Sequence, residues 1–138
     1  MVGTIPILAK LRTAFAAGGV LDLFPGGATA GERFDRPAAW PFLAIAPQGE
    51  TKKGRTNKTT YSEMLFDIGI AERSLEQCGD EALTSALISK MNAITAGGPV
   101  SLGSIRLIAL KVDPESVRFV QDDGFWVCWM TWIAQFSR

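Results

Sequence analysis

The sequence predicts an α+β fold: a mainly antiparallel β-sheet packed with two α-helices, carrying a long β-hairpin with an extended basic loop. Three observations support this. Residues 60–73 alternate with period two. Met64, Phe66, Ile68 and Ile70 point one way, and Tyr61, Glu63, Leu65, Asp67 and Ala71 the other, as in a strand with one face on a core. Two segments, 5–17 and 80–94, place apolar residues at helical spacing. The C-terminal stretch 125–136, which follows the turn signal Asp122-Asp123-Gly124, is apolar on both faces of a strand.

The first helix can be capped by Thr4, with Pro6 tolerated in its first turn. Leu8, Leu11, Ala14 and Phe15 make its apolar face, and Gly18-Gly19 ends it with the left-handed geometry glycine accepts. Residues 20–24 fit a short strand, and 25–41 read as irregular chain rich in Gly and Pro. Residues 42–46 form a short apolar strand covered on both faces. The stretch from Gln48 to Lys58 is polar and reads as a connector too long for a tight turn. Gly69 marks a bulge or a close backbone approach.

Asp80 caps the second helix, whose stripe is Leu83, Leu87, Met91 and Ile94 with Ala86 beside them. Met91 reads as a core filler. Gly97-Gly98-Pro99 stops the helix. Residues 105–112 and 117–120 complete the strands. The last strand has an entirely apolar face (Trp126, Cys128, Met130, Trp132, Ala134, Phe136) and a largely apolar opposite face (Phe125, Val127, Trp129, Ile133). With two helices to cover the sheet, one of its faces lacks an obvious partner, which favours oligomerisation through the tryptophan-rich strand.

The 138 residues fit one domain, 1–138, without repeats. Lys plus Arg and Asp plus Glu are 14 each, so no global charge draws the chain to nucleic acid or an anionic membrane. No apolar run suggests a signal peptide or membrane span. There is no histidine, which removes Ser-His and Cys-His nucleophile pairs and imidazole metal ligands. Cys78 and Cys128 are not ligand-spaced and read as reduced, partly buried thiols. The sequence implies no cofactor and no metal.

Residues 49–56 (Gly49-Glu50-Thr51-Lys52-Lys53-Gly54-Arg55-Thr56) nearly match the phosphate-binding loop. Arg55 stands where the lysine belongs, however, and a strand pattern follows in place of a helix. Asp122 and Asp123 are turn formers beside Gly124. The tryptophans at 126, 129 and 132 suit core or interface packing better than ligand stacking. Lys52, Lys53, Arg55 and Lys58, against Glu50 alone, make the connector a basic arm for an acidic partner or nucleic acid. No aromatic residue is interleaved there to read bases.

The order of these pieces resembles the tail-terminator, or tail-completion, proteins of long-tailed bacteriophages. The resemblance rests on the helix 5–17, the proline-started strand Pro41-Phe42-Leu43-Ala44-Ile45-Ala46, the polar connector and the long strand 60–72. It continues through the helix 80–94 and the strand after Asp122-Asp123-Gly124. It implies a non-enzymatic virion protein forming a ring, usually hexameric, that caps the tail tube at the neck and joins it to the head connector or head-closure protein. Assembly would take place in the host cytoplasm, with DNA meeting the protein only on its way through the ring. On this view Lys52, Lys53, Arg55 and Lys58 contact the tube or connector. Glu63, Arg73, Trp126, Trp129 and Trp132 are candidates for the interface between subunits. The competing readings are a head-closure or tube subunit, a small-molecule-binding protein or enzyme using the tryptophan-rich face, and a nucleic-acid adaptor.

Overall fold

The computed structural model describes residues 4–30, 39–55, 60–122 and 124–137, with side chains for 9–28, 39–46, 62–121 and 124–137. In chain order the elements are α1 (Thr4–Ala17), a 3-10 turn (Val20–Leu23), β1 (Ala28–Ala30), β2 (Phe42–Arg55) and β3 (Thr60–Glu72). Then come α2 (Leu75–Cys78), α3 (Glu81–Ile94), β4 (Val100–Leu102), β5 (Ile105–Val112), a 3-10 turn (Pro114–Ser116), β6 (Arg118–Asp122) and β7 (Phe125–Ser137). The strands form one sheet in the order β1-β2-β3-β7-β5-β4, and β6 pairs with β7. All pairs are antiparallel except β1 with β2. The predicted α+β class is the observed one.

The axis of the sheet is the ladder between β3 and β7, unbroken from Tyr61↔Ser137 to Glu72↔Trp126. Alternation on both strands sends Met64, Phe66, Ile68, Ile70, Cys128, Met130, Trp132, Ala134 and Phe136 to one face, and all are buried. The two long helices cover this face. Leu11 and Phe15 of α1, with Leu87 and Met91 of α3, are fully enclosed in the same core. Phe15 stacks on Phe66 with ring centroids 6.4 Å apart. Met91 is the core residue its spacing predicted.

Local chemistry sets the ends of the helices. The Asp80 carboxylate accepts from the Ala82 N–H at 2.9 Å, which satisfies one orphan donor at the start of α3. After α1, Gly19 adopts φ 78°, the left-handed conformation that releases the chain. Thr4 is itself helical, not a cap preceding the helix. Two short elements depart from the predicted pattern. Residues 20–23 form a 3-10 turn where a strand was expected, because Asp22 and Phe24 donate backward to Gly19 and Leu21. The short β4, which had no alternation long enough to detect, is held by a turn at Gly103, φ 79°.

The largest departure lies in the connector. Most of it is strand: β2 runs on to Arg55 and pairs with β3 as far as Thr60, with register shifts at Pro47/Gly49 and Glu50/Lys52. Polar residues obscured the strand pattern, and the two irregularities shift its phase. The long strand β3 is matched residue by residue by β7 within the same chain.

The second face of the sheet has its own small cluster: Phe42, Ala44, Ala71, Phe125 and Val127, with Trp40 and Trp129 packed against it. Trp40 sits 5.8 Å from Phe42 and 5.6 Å from Phe125, centroid to centroid. Part of the cover expected from a second subunit is therefore supplied by residue 40. Gly69 lies beneath this cluster in unbroken register with Trp129, so it marks a close approach and not a bulge. A Cβ there would stand 2.6 Å from Val127 Cγ1 and 2.8 Å from the Trp129 ring. Gly69→Val should therefore destabilise the chain by about 1–3 kcal/mol, the usual cost of overpacking. Urea denaturation with an unchanged m-value checks this, and an unchanged midpoint would refute it.

Candidate functional site

The candidate residues fall into three groups, of which the basic one adjoins Glu63. The basic group lies at the far end of the hairpin. In the β2/β3 register Lys52 pairs with Glu63, Lys53 with Ser62 and Arg55 with Thr60, while Lys58 lies outside the described residues. Among the described residues, the edge of β2 beyond Ile45 that faces away from β3 carries no strand. Because residues 49–55 are extended strand and the next element is the strand β3, not a helix, their amides do not converge into a phosphate cradle. The near-match to a phosphate-binding loop has no structural counterpart.

Glu63 is tied within the chain. Its carboxylate accepts from Gln135 Nε2 at 3.0 Å across the β3–β7 ladder. Arg73 is exposed just beyond the end of β3.

The tryptophans do not share a face. Trp126 and Trp132 belong to the helix side of β7, and Trp129 to the other. Trp132 is fully buried, so it has no surface to give a neighbouring subunit. Its place in the expected interface is corrected to the core, because the alternation of β7 carries it beneath the helices. The split also removes the single stacking platform that a tryptophan-rich ligand site would need. Trp126 and Trp129 remain partly exposed. The turn before β7 is as expected, with Gly124 at φ 82° and Asp122 paired with Phe125; Asp123 lies outside the described residues.

Sequence reasoning missed two features. The first is a polar network on the sheet face away from the helices. Arg118 Nη2 donates to Asp67 Oδ2 at 2.8 Å, and Thr131 Oγ1 donates to Asp67 Oδ1 at 2.8 Å. The Ser116 hydroxyl accepts from the Thr131 N–H at 2.8 Å. Asp67 is largely buried and Arg118 about half exposed. The only signal was Asp67 interrupting an otherwise apolar strand, and its partners are 51 and 64 residues away.

The second is a set of exposed apolar side chains with a groove beside two of them. Leu75, Val117, Phe119 and Val120 are 42–46% exposed. Val117 and Phe119 line a groove of about 340 Å³ together with Gly79, Glu81, Thr84, Ser85 and Cys128. Burial, then the neighbouring Cys78, pushes the Cys128 thiol from the usual 9.0 up to about 11. Cys78 is also raised, by burial and then by the Glu72 carboxylate. Both are free thiols, and neither is poised as a nucleophile.

No known family profile and no curated protein matches the sequence. Solved structures do match in fold. The fold is similar to that of a chain in the virion of a native gene transfer agent particle. The two superpose with a TM-score of 0.62 at 13% identity, over 95% of this chain and 98% of the other. A second solved chain, at TM-score 0.44 and 13% identity over 91% of this chain and 94% of its own, is too distant to inform the reading.

Two predictions follow from this geometry. Asp67→Ala should cost about 1–3 kcal/mol, because it removes the buried acceptor of the Thr131 and Arg118 hydrogen bonds; Arg118→Ala, at the exposed end, should cost about 1 kcal/mol or less. A double-mutant cycle with Thr131→Val in denaturant checks the coupling. For Cys128, the unfolded chain loses its thiol proton above pH 9.0 while the folded chain holds it to about 11. The unfolded state therefore binds fewer protons in that window, and stability falls as pH rises through it. Melting curves should show a shallower decline from pH 9 to 11 in Cys128→Ala than in the wild type.

Proposed function

We propose that this chain is a structural virion protein, not an enzyme, that forms a ring at the head-proximal end of a phage tail. There it ends tail-tube polymerisation and joins the tail to the head connector. The observation that carries the reading is the likeness in fold, along nearly the whole of both chains, to a chain of a gene transfer agent virion. The pattern of elements supports it. A two-layer domain in which, among the described residues, half of one β2 edge carries no strand and apolar side chains are exposed on β6 is suited to contacts with neighbours.

In this reading the end of the hairpin, with Lys52, Lys53, Arg55 and Lys58, is the contact arm through which the assembly forms and meets its partners. Arg73, Trp126 and Trp129 lie at subunit boundaries, and Glu63 reinforces the sheet next to the arm through Gln135. The ring sits at the neck of the particle, and DNA passes through it without sequence-specific contact.

Mass measurement in solution, alone and with the isolated tail tube, tests the reading. A closed oligomer bound to the tube end is expected; a monomer that ignores the tube at every concentration would sink it. Replacing all four basic residues by Ser should weaken tube docking at least ~10-fold, as removal of several interface charges does. The melting temperature should stay within a few degrees, since none of the four contributes to the described core. Binding of generic DNA with a steep salt dependence would favour a nucleic-acid adaptor instead.

A further inference from the structure

The groove between β6 and the corner joining α2 to α3 is the surface feature that the fold leaves unexplained. Its floor is Cys128 and Gly79, and its apolar wall is Val117 and Phe119. The Phe119 ring lies over the corner, close enough that a Cβ on Gly79 would be 3.4 Å from it. Glu81 is the carboxylate in the groove's lining, and Glu76, Asp80 and Glu115, all exposed, lie within three residues of lining positions, while the nearby Arg118 is already held by Asp67. An exposed aromatic ring in a groove that a carboxylate lines suits the side chain of lysine or arginine. The aliphatic stem covers the apolar wall, and the cation meets the ring and the acids.

The sequence holds one dense basic segment, the distal half of β2, with Lys52, Lys53 and Arg55. That segment cannot reach the groove of its own chain. Lys52 aligns through Glu63 with Gln135 on β7, whereas the groove lies at Cys128. Seven residues of strand between them span roughly 23 Å at about 3.3 Å per residue, far beyond the reach of a lysine side chain. Groove and basic segment therefore stand towards opposite ends of one rigid ladder.

We propose that the groove at β6 and the α2–α3 corner receives the basic half of β2 from a second copy of this chain. This rests on the ring reading and deepens it by naming the subunit contact. The contact is head to tail, so each copy offers one arm and one groove. Such a heterologous contact repeats around a closed ring when the rotation allows. The basic arm is then used first by the neighbouring subunit, and loss of tube docking in arm variants arises because the ring does not form.

Two variants test this: an arm variant, Lys52→Ser/Lys53→Ser/Arg55→Ser, and a groove variant, Glu81→Gln/Phe119→Ser. Both alter exposed or strand-edge positions, so each should melt near the wild-type temperature. Each alone should assemble at least ~10-fold more weakly than wild type, as expected when a central aromatic and its charge partner are lost. Mixed in equal amounts they retain one intact arm and one intact groove, and should give a dimer that grows no further. A groove variant that assembles like wild type, or a mixture that stays monomeric while wild type assembles, overturns the inference and leaves the ring standing. A groove variant that assembles normally but loses the tube would assign the groove to the tube protein, which also overturns it. Wild type that never assembles would remove the ring reading itself.

Discussion

Everything else in the fold depends on the register of the ladder between β3 and β7. Side chains alternate with period two, so a slip of one residue would turn Met64, Phe66, Ile68 and Ile70 out of the core and drive Asp67 into it. On the other face the same slip would put Ile68 or Ile70 in the place of Gly69 under Trp129, where there is no room for a Cβ. The ladder is therefore locked from both sides, by burial on one and by close approach on the other. Its neighbours inherit that register. β2 follows β3, β5 and β6 follow β7, and the helices pack on the row the ladder presents.

The long, strongly patterned elements were legible because their patterns are consequences of burial. The stripe of Leu87 and Met91, the Asp80 cap, the alternation of residues 60–72 and the turn at Gly124 all behave as their chemistry requires. The distal half of β2 was not legible. Lys52, Lys53 and Arg55 carry no apolar alternation, and two register shifts disturb what periodicity is left. Its strand character comes from β3 beside it, a tertiary cause that local sequence cannot express. The tryptophans show a related limit. Spacing reveals that 126 and 132 share a face that 129 does not, but the position of the helices decides that Trp132 is sealed while its neighbours keep some surface.

The two features that sequence reading missed have a common origin. The Asp67 network and the groove at Phe119 are assembled from segments separated by dozens of residues, and in each the informative residue looks ordinary where it stands. Asp67 reads as a solvent-facing carboxylate in a strand, and Phe119 as one more apolar residue before a turn. Only the meeting of β6 with β7 and the α2–α3 corner gives them partners. The sheet thus sets the Asp67–Arg118 pair in its middle, apart from the groove towards one end and the basic half of β2 towards the other.

The paired irregularities in β2 bear on solubility. A long strand with a bare edge is a template on which an identical strand can add in register, and repetition of that step leads to fibres. Bulges bend a strand and increase its twist, which spoils the flat edge such stacking needs. The shifts at Pro47/Gly49 and Glu50/Lys52 fall within the half of the strand whose outer edge carries no strand among the described residues, and Pro47 has no amide hydrogen to donate. The irregularity that disguised this strand thus also guards it, leaving an edge fit for a specific contact but poorly shaped for indiscriminate growth.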